Sequence, residues 1–103
     1  MSYVQIIEFV THEPAKFKAL SDKYLADSEG RNKVKRSMIY HDRAESRRYI
    51  AIVEFENRED AFENENLPET EDFAEGLADL SEVPVTYRSL ELAYSPVPGA
   101  PVT

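Results

Sequence analysis

The sequence predicts an α+β protein that has one four-stranded antiparallel sheet with its helices on one face. The first observation behind this prediction is a repeat, because QIIEFV at residues 5–10 returns as AIVEFE at residues 51–56, an offset of 46 (51 minus 5). The second is that each copy is followed by segments with apolar residues at helical spacing, and then by another strand-like segment. The order strand–helix–strand therefore occurs twice along the 103 residues.

In the first half, strands are predicted at residues 3–10 and 34–41, because both segments are rich in β-branched and aromatic residues. The helix between them begins near Pro14, since proline suits a first helical turn, and it ends before Gly30. The apolar stripe of this helix comprises Phe17, Leu20, Tyr24 and Leu25.

In the second half, a strand at residues 48–55 is followed by a short helix, REDAFEN, which Asn57 can cap with Asp60 three residues later. A longer helix begins at Pro68, and a last strand is predicted at residues 85–94. The apolar stripe of the longer helix comprises Phe73, Leu77 and Leu80. Asn64 and Asn66 are expected to cap helices, with a place at the rim of a pocket as the alternative.

The chain is expected to be one domain over residues 1–94, followed by a tail at residues 95–103 that is too rich in proline and glycine for a strand or helix. The domain is typical of a ferredoxin-like βαββαβ fold, in which two split βαβ units form a sheet with strand order 4-1-3-2. Right-handed crossovers place the helices on one face, which we call the covered face. The opposite face, the open face, has no helix over it.

Side chains alternate between the two faces along a strand, so the repeat divides into two sets. The covered face is expected to take Ile7, Phe9, Val53 and Phe55. The open face then carries Val4, Ile6, Val10, Ile50 and Ile52 together with Glu8 and Glu54. Such a face is too apolar for water and too charged for a dry core, so we expect it to stack on a second copy and enclose a partly polar cavity. The alternative is that the two glutamates are ordinary solvated strand residues.

The pairing of the second and third strands has two possible registers. One sets Arg36 opposite Glu54, and a shift of one residue sets Lys35 there instead. The register also decides whether Tyr40 or His41 lies on the face that carries Glu54. The sequence leaves both registers open.

Composition disfavours several classes of function. The formal net charge is −8, from 20 acidic and 12 basic residues, so the chain repels nucleic-acid phosphates and anionic membrane surfaces. It has no cysteine, and its two histidines lack the spacing of metal ligands, so we expect no metal site. No apolar run is long enough to span a membrane, and no charged segment precedes an apolar one at the start. We therefore expect a cytoplasmic protein.

The βαββαβ order, the I-I-E-F of the first strand and the helix LPETEDFAEGLADL together resemble the dimeric α+β barrel superfamily. The nearest resemblance is to antibiotic-biosynthesis-monooxygenase-like proteins, especially small actinobacterial members without an assigned activity, and it covers residues 1 to about 94. It implies a homodimeric barrel with a pocket in its interior or between sheet and helices. Members include cofactor-free oxygenases of anthrones and quinols, haem-binding and haem-degrading proteins, and proteins without known catalysis.

His41 and Glu54 are the candidate catalytic residues. An imidazole at the end of the second strand can remove a phenolic or anthrone proton, with Glu54 or Glu8 fixing its tautomer. The deprotonated substrate would then react directly with dioxygen, as the resemblance implies. A solvent-exposed histidine at the end of a strand is the alternative.

The candidate ligand-binding residues are Glu8, Arg36, Tyr40, Tyr87 and Arg88. Tyr87 and Arg88 point to opposite faces, so only one of them can line a cavity together with the two glutamates. A tyrosine can hydrogen-bond the oxygen of an aromatic substrate, and an arginine can stabilise an enolate. Core packing or an interface contact is the alternative for both.

Three functions follow. The first is a cofactor-independent monooxygenase acting on an aromatic, polyketide-like substrate, and the second is a non-catalytic homodimer that binds a small aromatic or apolar ligand. The third is haem binding or degradation, which would need His12 or His41 as an axial ligand. The chain has no tryptophan, whereas haem-degrading relatives commonly use one beside the pocket, and this departure weakens the haem hypothesis.

Overall fold

The computed structural model describes residues 2–96 and contains the predicted elements in the predicted order. They are β1 (Tyr3–Val10), α1 (Pro14–Asp27), β2 (Arg36–His41), β3 (Arg48–Phe55), α2 (Arg58–Glu65), α3 (Pro68–Leu80) and β4 (Thr86–Glu91). The strands form one antiparallel sheet in the order β2-β3-β1-β4, which confirms the ferredoxin-like α+β fold. Apart from Ser95 and Pro96, the predicted tail lies outside the described residues.

The boundaries of the helices follow from local chemistry. Asn57 caps α2 as predicted, because its side-chain oxygen accepts a hydrogen bond from the backbone N–H of Asp60 at 2.8 Å. After α1, Gly30 has φ +82°, a left-handed conformation that glycine adopts without a steric penalty. Glycine also matters at position 76, where an added Cβ would lie 2.8 Å from the side chain of Leu20. The absence of a side chain at Gly76 therefore lets α1 and α3 approach closely.

Two strands are shorter than predicted. β2 begins at Arg36 rather than at residue 34, because the backbone N–H of Val34 donates to the side chain of Asn32 instead of a neighbouring strand. β4 ends at Glu91 rather than at residue 94, because Glu91 already pairs with Tyr3, the first residue of β1. Both corrections concern only strand ends.

The core lies between the covered face and helices α1 and α3. Ile7 and Phe9 from β1 and Ala51 from β3 pack there against Phe17 of α1 and Leu77 of α3. The rings of Phe9 and Phe17 are stacked with their centroids 4.6 Å apart. The expected division of the strands into an apolar covered face and a mixed open face is therefore confirmed.

The apolar stripes of the helices are confirmed with one exception. In α3, Leu77 is fully buried, and Phe73 and Leu80 pack against the core. In α1, Leu25 is 45% exposed, because it follows Tyr24 by one position and its side chain is turned about 100° around the helix. No helix within residues 2–96 is long and apolar enough to cross a membrane.

The register of the β2–β3 hairpin decides between the two alternatives that the sequence left open. Arg36 lies opposite Glu54, and Tyr40 lies opposite Ile50. Residues directly opposite each other share a face, so Tyr40 belongs to the open face. His41, one residue later, belongs to the covered face.

Candidate functional site

A cavity of about 620 Å³ lies between the covered face of β1 and β4 and the helices α2 and α3. This volume is within the range of small-molecule pockets, roughly 300–1,000 Å³. The aromatic residues that line it are Tyr3, Phe55, Phe62 and Tyr87. Such a lining suits a flat, largely apolar ligand.

Polar groups without partners form the floor of this cavity on β1 and β4. Gln5 lies directly opposite Ser89, and Tyr87 lies opposite Ile7, two positions further along β1. Facing side chains on paired strands are about 4.5–5.5 Å apart, so these groups form one patch. The side chains of Gln5, Tyr87 and Ser89 make no hydrogen bond or ion pair with any residue between 2 and 96. Their hydrogen-bonding capacity is available to a ligand.

Tyr87 is the strongest hydrogen-bond donor on this floor. Partial burial raises the pKa of its phenol above the ordinary value of 10.0, because desolvation disfavours the phenolate. The hydroxyl group therefore stays protonated at neutral pH and can donate to an oxygen of a ligand.

Asn64, Thr70 and Tyr24 form a closed hydrogen-bond ring in the wall of the cavity. Asn64 Nδ2 donates to Tyr24 Oη at 2.9 Å, and Thr70 Oγ1 donates to the backbone carbonyl of Asn64 at 2.6 Å. Because the hydroxyl hydrogen of Thr70 is used in that bond, Tyr24 Oη must donate to Thr70 Oγ1, 3.1 Å away. Asn64 and Thr70 also line a smaller cavity of about 80 Å³ beneath α1, so the ring stands between the two cavities.

The charged residues of the cavity come only from the helices. They are Arg58 and Glu65 of α2 and Glu71 of α3, and all three are exposed. The floor carries no charge. With one positive and two negative side chains, the lining has a net charge of −1 (1 minus 2), which disfavours an anionic ligand.

On the open face, Glu54 is almost completely buried, with 1% of its surface exposed. Ser2 Oγ donates to its Oε2 at 2.8 Å, and Arg36 Nε lies 3.4 Å from its Oε1. Within residues 2–96, no group donates a hydrogen bond to Oε1. The alternative that Glu54 is an ordinary solvated strand residue is therefore wrong, and its carboxylate has an ion-pair partner, Arg36, in its own sheet.

Four other predicted site residues share the open face with Glu54. Glu8 accepts a hydrogen bond from the Arg48 guanidinium, so this carboxylate is also paired within the sheet. Arg36, Tyr40 and Arg88 complete the set, and Arg88 has no ion-pair partner in the described part of the chain. None of these residues lines the large cavity. Tyr87, on the covered face, is the one predicted site residue that does.

The structure does not bring His41 and Glu54 together. His41 Nε2 lies 2.6 Å from the carbonyl oxygen of Ser46, and because a carbonyl can only accept, Nε2 carries a hydrogen. Its ring stacks on Tyr49 with centroids 4.6 Å apart, on the covered face. The expectation that Glu54 or Glu8 fixes the tautomer of His41 is therefore wrong, because the hairpin register places both glutamates on the other face.

The described residues do not favour a haem or metal site. His12 is paired with Glu82 at 2.8 Å, and neither His12 nor His41 lines the large cavity. The cavity thus lacks the axial histidine on which the haem hypothesis depends. Among residues 2–96 there is no group of three or more His, Asp or Glu that could hold a metal ion.

Two further residues belong to the site: Asn64, for which the rim of a pocket was the alternative to capping, and Gln5, which the sequence analysis did not assign to it. Asn64 does not cap a helix, since Asn66 occupies the C-cap of α2, and Asn64 is instead buried and accepts from the backbone N–H of Lys33 at 2.8 Å. Gln5 lies in the repeat itself, where its counterpart at the offset of 46 is Ala51. A glutamine where the other copy of the repeat has alanine is the sequence signal that could have identified Gln5 as a site residue.

The sequence matches no protein-family model and no curated protein. Comparison with solved structures does find similar folds. SnoaB, a cofactor-independent oxygenase from Streptomyces nogalater, is 16% identical over 91% of this chain and 95% of its own, with a TM-score of 0.74. Rv0793 from Mycobacterium tuberculosis is 13% identical over 94% of this chain and 100% of its own, with a TM-score of 0.73.

A Nitrosomonas europaea protein named after antibiotic biosynthesis monooxygenases is 18% identical over 90% of this chain and 91% of its own, with a TM-score of 0.72. At these identities, the comparisons establish the fold and not a substrate. They support the resemblance found in the sequence, because the similar structures include proteins of that group. This chain therefore shares the α+β fold of these solved structures, which include a cofactor-independent oxygenase and a protein named after antibiotic biosynthesis monooxygenases.

Proposed function

We propose that this chain is a cofactor-independent, monooxygenase-like protein that binds a flat aromatic compound, such as an anthrone or a quinol, between its sheet and its helices. The observation that carries the proposal is the cavity of about 620 Å³, with aromatic walls and a floor of uncharged polar groups that lack partners. SnoaB, which has the same fold, is a cofactor-independent oxygenase.

Tyr87 is assigned the role of hydrogen-bond donor to the ligand oxygen. Negative charge develops on this oxygen when an anthrone or quinol loses a proton, and a fixed donor stabilises that charge. A phenol with the ordinary pKa of 10.0 is already protonated under neutral conditions, and burial raises the pKa of Tyr87 further, so the donor keeps its hydrogen. The electron-rich anion is the form that reacts with dioxygen without a cofactor.

The overall reaction balances for an anthrone. Its methylene carbon loses two hydrogens and gains a double bond to one atom of dioxygen, and the other oxygen atom leaves as water. The carbon is oxidised by four electrons, and dioxygen accepts all four. The products are the anthraquinone and one molecule of water.

We assign the open face to dimerisation. Tyr40 and Leu90 are 53% and 39% exposed there, and they adjoin the half-buried apolar residues of β1 and β3. The carboxylates of Glu8 and Glu54 are paired with arginines of the same sheet, so burial against a second copy leaves neither of them unpaired. Two such faces stacked together would form the barrel that the fold suggests.

The test is oxygen uptake with an anthrone by the purified protein, compared with the Tyr87→Phe variant. We expect turnover by the wild-type protein and a loss of about tenfold or more in kcat for the variant, since one donor to the developing oxyanion is removed. Tyr94→Phe is the matched control, because Tyr94 is 76% exposed and does not line the cavity. Absence of both turnover and anthrone binding by folded protein would contradict the proposal.

A second candidate function is ligand binding without catalysis. It is favoured by the absence of a histidine from the cavity lining, which leaves no group there with an ordinary pKa near neutrality to remove a proton. A thermal-shift measurement separates the two functions. Stabilisation of the protein by an anthrone without oxygen uptake would favour the binding module.

A further inference from the structure

Gln5 is an unusual residue for its place in the sheet. The other residues that β1 and β3 present to the covered face are aromatic or aliphatic, and Gln5 carries the one amide. Its counterpart in the repeat, Ala51, is 4% exposed and belongs to the core. The two halves of the chain therefore use the same strand position differently.

The amide of Gln5 has no partner within residues 2–96, although the residue is half-buried and lines both cavities. The amide is open to water, because Glu54 Oε1 is the one buried side-chain nitrogen or oxygen without a hydrogen-bond partner among residues 2–96. A ligand that enters the cavity displaces this water and must replace its hydrogen bonds, because desolvating an amide without a partner is costly. A ligand that supplies these hydrogen bonds is therefore favoured over one that does not.

Ser89 extends this site across the sheet, since it lies directly opposite Gln5 on β4 and is also without a partner in the described chain. An amide offers both a donor and an acceptor, and a hydroxyl group does the same. The charged residues that line the cavity, Arg58, Glu65 and Glu71, belong to the helices rather than to the floor. Glu91 follows Ser89 by two residues on the same face of β4, and its negative charge also disfavours an anionic ligand. The patch therefore matches a group that is itself both donor and acceptor and that carries no charge.

We propose that Gln5 and Ser89 determine ligand specificity by binding an uncharged edge of the ligand that presents a donor beside an acceptor, as a carboxamide or a phenolic hydroxyl group does. This inference rests on the proposed ligand-binding function of the large cavity. In this proposal Gln5 and Ser89 select the ligand, whereas Tyr87 donates a hydrogen bond to the ligand oxygen.

Three probes of one size test the proposal: naphthalene carboxamide, methyl naphthyl ketone and naphthoate. They share the ring system but present a donor with an acceptor, an acceptor alone, and a negative charge, respectively. Binding is measured by isothermal titration calorimetry with the wild-type protein and with Gln5→Leu and Ser89→Ala. We expect the wild-type protein to bind the carboxamide about tenfold more tightly than the ketone, and naphthoate most weakly. Gln5→Leu should abolish the preference for the carboxamide over the ketone, and Ser89→Ala should reduce it.

A second readout needs no ligand. Because Gln5 has no partner to lose, Gln5→Leu should leave the unfolding midpoint in urea unchanged or raise it, as is common when a functional polar group is removed. A lowered midpoint, or a carboxamide preference that survives in Gln5→Leu, overturns the inference and leaves the cavity as a ligand site. Failure of the wild-type protein to bind any of the probes overturns the proposed binding function as well.

Discussion

The hydrogen-bond ring of Tyr24, Asn64 and Thr70 can be tested by removing one oxygen atom. Tyr24→Phe deletes a hydroxyl group that accepts from Asn64 at 2.9 Å and donates to Thr70 at 3.1 Å. Each of these bonds contributes about 1 kcal/mol, so the expected loss in the free energy of unfolding is about 2 kcal/mol. For a domain of this size, such a loss lowers Tm by roughly 8–16 °C.

Unfolding in urea is followed by far-UV circular dichroism. All variants are measured at one protein concentration, because association makes the unfolding midpoint depend on concentration. Tyr94→Phe is the control, because the Tyr94 ring is exposed and its loss of a hydroxyl group should change stability by less than about 0.5 kcal/mol. Thr70→Val removes the next member of the ring, and the double variant with Tyr24→Phe should be clearly less destabilised than the sum of the two single changes. Equal effects of Tyr24→Phe and Tyr94→Phe, or simple additivity, would refute the closed ring.

Two further predictions concern charge and assembly. Hydrogen bonds from Arg31 lower the pKa of Glu69 below its ordinary value of 4.5, so this pair stabilises the protein above that pH and is lost as the pH falls through the folded pKa. Arg31→Gln should therefore show a smaller decline of Tm on acidification below about pH 5 than the control Arg43→Gln. Arg43 suits this control because its side chain has no ion-pair partner in the described chain. Equal declines of Tm in the two variants would contradict the stabilising role of the Arg31–Glu69 pair. Ile52 lies on the open face, so Ile52→Glu should convert the proposed dimer into a monomer in light scattering. Ala78→Glu, on the exposed side of α3, is the control and should leave the dimer unchanged. A monomeric wild-type protein would contradict the proposed dimer.

Much of the fold could be predicted because its signals are local. The bounds of β1 and β3 are those expected from their apolar runs, and Pro14 and Pro68 begin helices as expected. The two faces of the sheet follow from strict alternation along each strand. These features depend on residues that are neighbours in sequence.

The site could be predicted only in part, because its geometry depends on distant segments. The register of β2 against β3 differs between its alternatives by one residue, and that single step moves His41 away from Glu54. The large cavity joins Gln5 of β1, Asn64 of α2 and Ser89 of β4, which no spacing rule brings together. Alternation along β4 predicted that Tyr87 and Arg88 lie on opposite faces, but it did not decide which of them lines a cavity. The structure places Tyr87 in the large cavity and Arg88 on the face that carries Glu8 and Glu54.

The alternation along β1 has a consequence for how the protein can change. Gln5 and Ile7 face the helices and the cavity, whereas Ile6 and Glu8 face the surface assigned to the twin subunit. The odd-numbered positions of β1 therefore belong to the covered face, and the even-numbered positions belong to the open face. Substitutions at the odd-numbered positions would therefore change the cavity and its ligand preference, and they would leave the proposed dimer contact unaltered.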